Sequence, residues 1–560
     1  MSGLMHFRPA ILALFTVLVI VPGTSCQKSE SRPPGAPSTI LSPDTIVSVH
    51  WLGKKRLGIT FGAYYLMRIW VQPQSAQLER QTILKLACAP GLWLPGGTNL
   101  SVDAESRLLL LLNDMVQEES YLEIRDATNS QPSLVFAIQL NEAQTGQWLT
   151  NLAAVLEPLT GARAVANPDR HGWSLESTNI LNLIQVARVG DWTLVGVAAA
   201  KNPLLAEISA RIRRDGVPFV SSGTNLWLEA DLAPSRLVSS LPTRPTGGEG
   251  RGEVGRHEAQ KSDAGRGEAG FFSTLNRFDF SLSGDGANVI TRTKVTFNNP
   301  FSTTLEPWQL PLPLLHEPLT SLTVVRGVQP RLANWPAWRD LQIGAPPDQL
   351  FFWSLAGSPY QLYLAAPLPA AGVSALTDHL LQKGNPWLAA NGYISFDRAS
   401  DANGITWGNL PDIKPFIKSA GDDSQGWLYA GLLPDTNTAA IPPPAGLIQD
   451  IQRRTNLVYY DWEVTGPRLQ PCLQLAQTIR IITRQRQLLL DSASLNWLSS
   501  LIPRLGTSAT IINRTGPAEL TLYRRSTLGL TAPEINLLTG WLESPQFPCS
   551  LHAFSAPTDK

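Results

Sequence analysis

The sequence is poor in cysteine, with four in 560 residues: Cys26, Cys88, Cys472 and Cys549. So few exclude a disulfide-built scaffold. No pair has C-x-x-C spacing, and the seven histidines form no H-x-x-x-H pair, so the sequence shows no zinc site. Charged residues make up only 16 %. There is no basic excess, because 45 Lys and Arg face 45 Asp and Glu. Without an excess to neutralise phosphates, nucleic acid is not an expected partner. There is no P-loop, G-x-S-x-G elbow, H-E-x-x-H or G-x-G-x-x-G in its required context, and no cofactor is expected. After the first 25 residues no run approaches 18 uninterrupted apolar residues, so no later membrane helix is expected.

What is present begins with an apolar run, Ile11 to Val21, preceded by Arg8 with no acid. Eleven helical residues reach about 16 Å, short of the roughly 30 Å of a bilayer core. The run fits the central region of a secretory signal, with Gly23 and Ser25 as small residues before a cut after Ser25. Residues 1–25 are therefore expected to be a signal peptide. The cut leaves Cys26 first, an arrangement that resembles the lipobox of bacterial lipoproteins, with Gly23 where that motif usually carries Leu. Two fates stay open for Cys26: lipid attachment, or cleavage that leaves a plain thiol. An uncleaved N-terminal anchor is a third. Residues 26–43 are polar and Pro-rich and read as a tether. The expected location is extracytoplasmic, in the cell envelope, with the membrane as one partner and an unidentified protein or envelope ligand as another.

Apolar residues make up 43 % of the chain, enough for large cores. Residues 242–270 hold eight Gly, five basic and five acidic residues, and read as a disordered loop. On each side of this tract the apolar pattern runs strand, helix, strand, strand. On the left these are 133–140, 146–157, 171–177 and 191–199, followed by a helix opened by Asn202-Pro203 and closed by Gly216. On the right they are 360–368, 373–381, 391–399 and 426–433. A third set runs from the strand 456–464 through a long helix to a hairpin joined at Gly516-Pro517, then a last helix opened by Thr531 and Glu534. The fold class predicted is α+β: repeated β-α-β-β units in antiparallel sheets, with helices packed on one face. The domains predicted are 44–241, 271–446 and 447–560.

The sharpest polar cluster is Asp461 and Glu463 with Arg468. Two carboxylates two apart in a strand share a face and can act as an acid/base or cation site. The alternative is a solvent-facing edge with Arg468 as ion-pair partner. With Tyr460, Trp462 and Val464 in the core, Asp461 and Glu463 are expected to face water or Arg468 and to titrate near ~3.9 and ~4.3. His50 reads as a satisfied structural histidine, and Lys54-Lys55-Arg56 as a solvated turn or a contact for anionic headgroups. His379 has no identifiable partner. Trp148, Trp192, Trp497 and Trp541 fall on apolar stripes. Cys472 lies on a helical stripe with Leu475 and Ile479; it is either a buried thiol or the partner of Cys549.

The stretches HWLG (50–53), NLVYYDWEVTGPR (456–468), RRSTLGLT (524–531) and WLESPQFP (541–548) together resemble uncharacterised exported proteins of environmental bacteria. The resemblance implies an envelope location and a repeated α+β architecture, and supplies no activity. The function expected is a non-catalytic, membrane-tethered binding or scaffold protein. The alternative is an extracytoplasmic hydrolase with dispersed catalytic residues, Asp461 and Glu463 first among them.

Overall fold

The computed structural model describes residues 42–90, 101–127, 130–167, 171–176, 183–198, 202–220, 225–240, 274–302, 304–341, 344–390, 395–399, 404–407, 413–422, 425–434, 441–482, 492–544 and 547–548. Residues 1–25, expected to be a signal peptide, Cys26, Cys549 and the tract 242–270 expected to be disordered lie outside these, as do residues 27–41 of the expected tether.

Two units divide the chain. One runs to Pro300 and takes in the segment from Gly540; the other holds Phe301–Thr539. Among the described residues the first contains ten strands: β1 (Thr45–Trp51), β2 (Ser120–Ala127), β3 (Ser130–Gln139), β4 (Arg163–Asn167), β5 (Gly172–Glu176), β6 (Leu183–Val189), β7 (Trp192–Ala198), β8 (Leu228–Leu232), β9 (Leu275–Gly284) and β10 (Val289–Phe297). They pair antiparallel throughout, in the order β4-β5-β6-β7-β3-β2-β1-β8-β9-β10.

The described residues of the second unit also form ten strands: β11 (Leu319–Arg326), β12 (Gln349–Leu355), β13 (Leu362–Pro367), β14 (Phe396–Arg398), β15 (Gly404–Trp407), β16 (Phe416–Asp422), β17 (Gln425–Gly431), β18 (Leu457–Val464), β19 (Thr507–Gly516) and β20 (Glu519–Ser526). Their order is β14-β15-β16-β17-β13-β12-β11-β18-β19-β20, again antiparallel. It is the first order with ten added to every number, so the two units share one topology.

Helices fall at matching places. In the first unit these are α1 (Lys54–Leu57), α2 (Tyr64–Trp70), α3 (Pro73–Cys88), α4 (Val102–Gln117), α5 (Glu142–Thr160), α6 (Pro203–Asp215) and α7 (Pro234–Ser240). The second has α8 (Ala370–His379), α9 (Ala445–Gln452) and α10 (Thr465–Ile482), and α11 (Ala532–Glu543) begins there. A helix follows β3 and β13, β7 and β17, and β8 and β18. The units differ between their first two strands, where α1–α4 occupy the first unit and two short helices, Gln329–Ala333 and Pro336–Leu341, the second.

The three-domain division is therefore corrected. The tract 242–270 interrupts one unit between α7 and β9, and residues 447–539 complete the sheet begun at β11. Long-range pairing of β8 with β9 and of β11 with β18 decides this, and no local pattern reports it. The chain is α+β, but its helices cover both faces of each sheet. The unbroken apolar run of β3 shows why. Leu134, Phe136 and Ile138 meet Ile83 of α3, Leu111 of α4 and Trp148 of α5. Val135 and Ala137, pointing the other way, meet Leu204, Leu205 and Ile208 of α6. A strand buried on both faces reads as a continuous hydrophobic run.

Local signals work as expected. Asn202 caps α6 through the Leu205 N–H at 3.0 Å, and Gly216 closes it at φ +78, a left-handed conformation suited to glycine. Trp148, Trp192 and Trp541 are buried and Trp497 is half-buried. In the second unit, Leu322, Val324, Phe351, Trp353, Tyr429 and Tyr460 pack with Ile448 and Ile451 of α9.

Candidate functional site

β18 lies between β11 and β19 in the second sheet. Tyr460 and Trp462 enter the apolar core on one face, as their hydrophobicity predicts. Asp461 and Glu463 occupy the other face, which is not open to water: they are 1 % and 0 % exposed. Of the two expected surroundings, water or Arg468, the structure shows Arg468, and the expectation that Glu463 titrates at its ordinary value is corrected. The hydroxyl-bearing strands beside them and α10 above them form a second, polar interior. Thr323 and Thr510 stand directly across from Asp461, Ser321 and Ser508 across from Glu463.

α10 starts at the residue after β18, so the chain turns back over its own strand. That return brings Arg468 onto the carboxylates. Its Nη1 lies 2.9 Å from Asp461 Oδ1 and 2.7 Å from Glu463 Oε2, and its Nη2 lies 3.4 Å from Thr323 Oγ1. Thr323 donates its hydroxyl to Asp461. Glu463 Oε1 accepts the Ala532 N–H at 2.8 Å, at the start of α11.

A second ion pair adjoins this one. Arg524 of β20 donates to Thr510 Oγ1 at 2.9 Å and to both oxygens of Glu534, at 2.5 and 2.9 Å. Glu534 also accepts the Thr531 N–H at 2.8 Å, half of the capping box read from the sequence. Bidentate pairs of this kind are the strong ones.

Burial pushes the Glu463 carboxyl above its usual range, against the pull of Arg468, and Asp461 pushes the same way. Burial works against the charge on Arg468, yet Asp461 and Glu463 together hold its affinity for the proton above the ordinary value. Burial raises Tyr460 to about 12 and also raises the half-buried thiol of Cys472. Cys472 and the exposed Cys88 are free thiols. The three sequence-predicted residues thus meet in one cluster, but as a buried ion-pair network in which one guanidinium serves two carboxylates. Arg468, the Thr323 hydroxyl and the Ala532 N–H occupy Asp461 Oδ1 and both oxygens of Glu463, and burial keeps the pair away from water.

The first unit holds a comparable network that sequence reasoning missed. Glu123 of β2 is fully buried. It accepts from the Tyr121 hydroxyl at 2.7 Å, Arg125 Nε at 2.7 Å, Arg211 Nη1 at 3.3 Å and the Thr45 hydroxyl at 3.3 Å. Glu207 bridges Arg125 and Arg211. The signal was available: Tyr121, Glu123 and Arg125 alternate onto one strand face, and Glu207 and Arg211 are one helical turn apart. His50 is buried, stacks on Phe219 at 3.7 Å, and places Nε2 2.9 Å from Glu119 Oε1. On β8 and β9, Asp231 and Asp279 stand directly opposite each other, with Arg277 donating to both. Burial and the neighbouring Asp279 raise Asp231 to about 6.

A shallow cavity of about 530 Å³ lies away from the carboxylates, against Thr304, Leu305, Asn456 and Arg514. Among the described residues no three His, Cys, Asp or Glu side chains are grouped to hold a metal, and no helix is long and apolar enough to cross a membrane.

No family model matches the chain, and no curated protein matches it. Two solved structures are similar over part of its length, crystal forms IV and III of TP0453. They are 8 % and 7 % identical, cover 45 % and 48 % of this chain and 76 % and 80 % of their own, and each has a TM-score of 0.22. A likeness that slight carries no argument about fold or function.

Proposed function

We propose that this protein is a non-catalytic binding or scaffold protein of the bacterial cell envelope, held at a membrane through Cys26. The observation that carries the non-catalytic part is the burial and ion pairing of the best acid/base candidate. Asp461 and Glu463 share Arg468, and Thr323 and the Ala532 N–H supply further donors. Such a network fixes β11, β18, α10 and the start of α11 relative to one another, a role in architecture. Two units of one topology, each stiffened by its own buried ion cluster, suit a protein that presents surface to partners.

The envelope part rests on the apolar run Ile11–Val21 and the small residues before Cys26. The test has two arms. Intact mass of the exported chain should correspond to a start at Cys26, and Cys26→Ser should move the protein from the detergent phase to the aqueous phase. A chain that keeps Met1, or a partition unchanged by the substitution, overturns the anchoring. For the network, Asp461→Asn with Glu463→Gln should alter stability and leave binding of envelope partners unchanged in the folded fraction. A folded double variant of parental stability that has lost a hydrolytic activity present in the parent would make the hydrolase the better reading.

A further inference from the structure

The β1–β2 connection is the elaboration that sets the first unit apart, and its opening segment is unusual in charge and exposure. From Lys54 to Val71 there are four basic residues, Lys54, Lys55, Arg56 and Arg68, and no acid. Leu57, Ala63, Leu66, Met67 and Trp70 turn inward onto Trp227 and Val289. The other side of the same segment is apolar and open: Ile59 is 88 % exposed, Phe61 84 %, Tyr64 58 % and Val71 65 %. Tyr64, Arg68 and Val71 follow helical spacing along α2 and so line one side.

We propose that residues 54–71 form a bilayer-surface contact, with Ile59 and Phe61 entering the boundary between headgroups and acyl chains and Lys55, Arg56 and Arg68 meeting anionic phosphates. It goes beyond the anchoring proposed above and rests on that envelope location. Three observations select a bilayer. The first is the sign of the charge. The acids that pair with the basic run come from outside the segment: Glu79 of α3 holds Lys54, while Glu118 and Glu119, just before β2, leave Lys55 58 % and Arg56 53 % exposed. Partly exposed Lys55 and Arg56, each held on one side by a glutamate, and Arg68 therefore stand beside an apolar tip.

The second is composition. The Arg68 guanidinium lies 5.8 and 6.0 Å from the rings of Tyr64 and Tyr65, and amphipathic aromatic rings beside cations suit the headgroup level. The third is chain length. Residue 42, the first described, follows Cys26 by 16 positions, a reach of at most about 55 Å, and the segment begins directly after β1. Lipid attachment alone gives weak, reversible binding, and a basic apolar patch is the second signal that makes it stable.

The test uses the chain from residue 26 onward carrying Cys26→Ser, so that neither a lipid nor the apolar run Ile11–Val21 contributes, and flotation with vesicles of phosphatidylethanolamine and phosphatidylglycerol at seven to three, or of phosphatidylcholine alone. The parent should float with the anionic vesicles and much less with the neutral ones. Ile59→Ser with Phe61→Ser should lower the bound fraction about tenfold or more, with an unchanged thermal midpoint, since both side chains are already in water. Lys55→Gln with Arg68→Gln should lower binding to anionic vesicles about tenfold and leave the neutral-vesicle signal alone. A parent that stays unbound, or variants that float as the parent does, overturn the proposal. So does a concentration-dependent dimer abolished by Ile59→Ser with Phe61→Ser, which would make a second copy the occupant. Because this chain cannot be lipidated, its result is independent of whether Cys26 is the natural anchor, which the detergent partition decides separately.

Discussion

Replacing Arg468 by methionine tests the buried network directly. Methionine keeps most of the side-chain volume, so the loss reports charge more than packing. In the parent, one guanidinium serves two carboxylates at 2.9 and 2.7 Å. At an effective dielectric of about 20, each attraction between charge centres ~4 Å apart amounts to about 4 kcal/mol. The full sum is not lost, because one carboxylate takes up a proton once its partner is gone. The expected cost of Arg468→Met is then about 3–5 kcal/mol, the usual result of stranding a buried charge.

The pH dependence follows from the direction of the Glu463 shift. Burial already raises its proton affinity in the fold above the ordinary 4.5, and Arg468 opposes that rise. Without Arg468 it rises further. A carboxyl raised by folding contributes stability below its unfolded value and loses it as pH climbs through the folded one. The deficit of Arg468→Met should therefore be smaller at about pH 5 than at about pH 8. Urea unfolding followed by tryptophan fluorescence at both pH values measures this. The triple change Arg468→Met, Asp461→Asn and Glu463→Gln should recover most of the loss, since no unpaired charge remains. A single-variant loss below about 1 kcal/mol, the range of an exposed ion pair, or a deficit that does not grow with pH, would refute the reasoning.

In the first unit, Glu123→Gln leaves Arg211 and Arg125 with only Glu207 as acidic partner, and urea unfolding should show a loss of about 3 kcal/mol. Asp231, raised to about 6 from 3.8, contributes stability below its ordinary value that is lost as pH rises to about 6. Asp231→Asn should flatten that part of the stability profile by on the order of 2–3 kcal/mol, read by thermal unfolding between pH 3.8 and 6. Gly53 has φ +85, and a Cβ there would lie 2.5 Å from the Glu118 carbonyl carbon. Gly53→Ala should cost at least about 3 kcal/mol, and wild-type stability in that variant would show that the turn relaxes. A protease site placed within 242–270 should give fragments that co-elute after cleavage, because β8 pairs with β9 across the cut; fragments that separate without denaturant would restore a domain boundary there.

The sequence alone determined the features that short-range physics controls. Asn202, Pro203 and Gly216 bound a helix because cap, ring and left-handed glycine each act within one turn. The runs SLVFAIQL and NLVYYDWEV are strands because β-branched and aromatic residues recur there. Arg468 was identifiable as partner of Asp461 and Glu463 because it follows them within seven residues. What covers the carboxylates was not legible. Alternation placed Asp461 and Glu463 opposite Tyr460 and Trp462, but a polar face reads as solvent unless something distant lies on it. Here Thr323 comes from 138 residues before Asp461 and Ala532 from 69 residues after Glu463. The shared topology was half visible for a similar reason. The strand–helix–strand–strand rhythm recurs locally, so it was seen around β3 and β13. Only non-local pairing joins β1 to β8 and β11 to β18, and that pairing turned three apparent domains into two units of one topology.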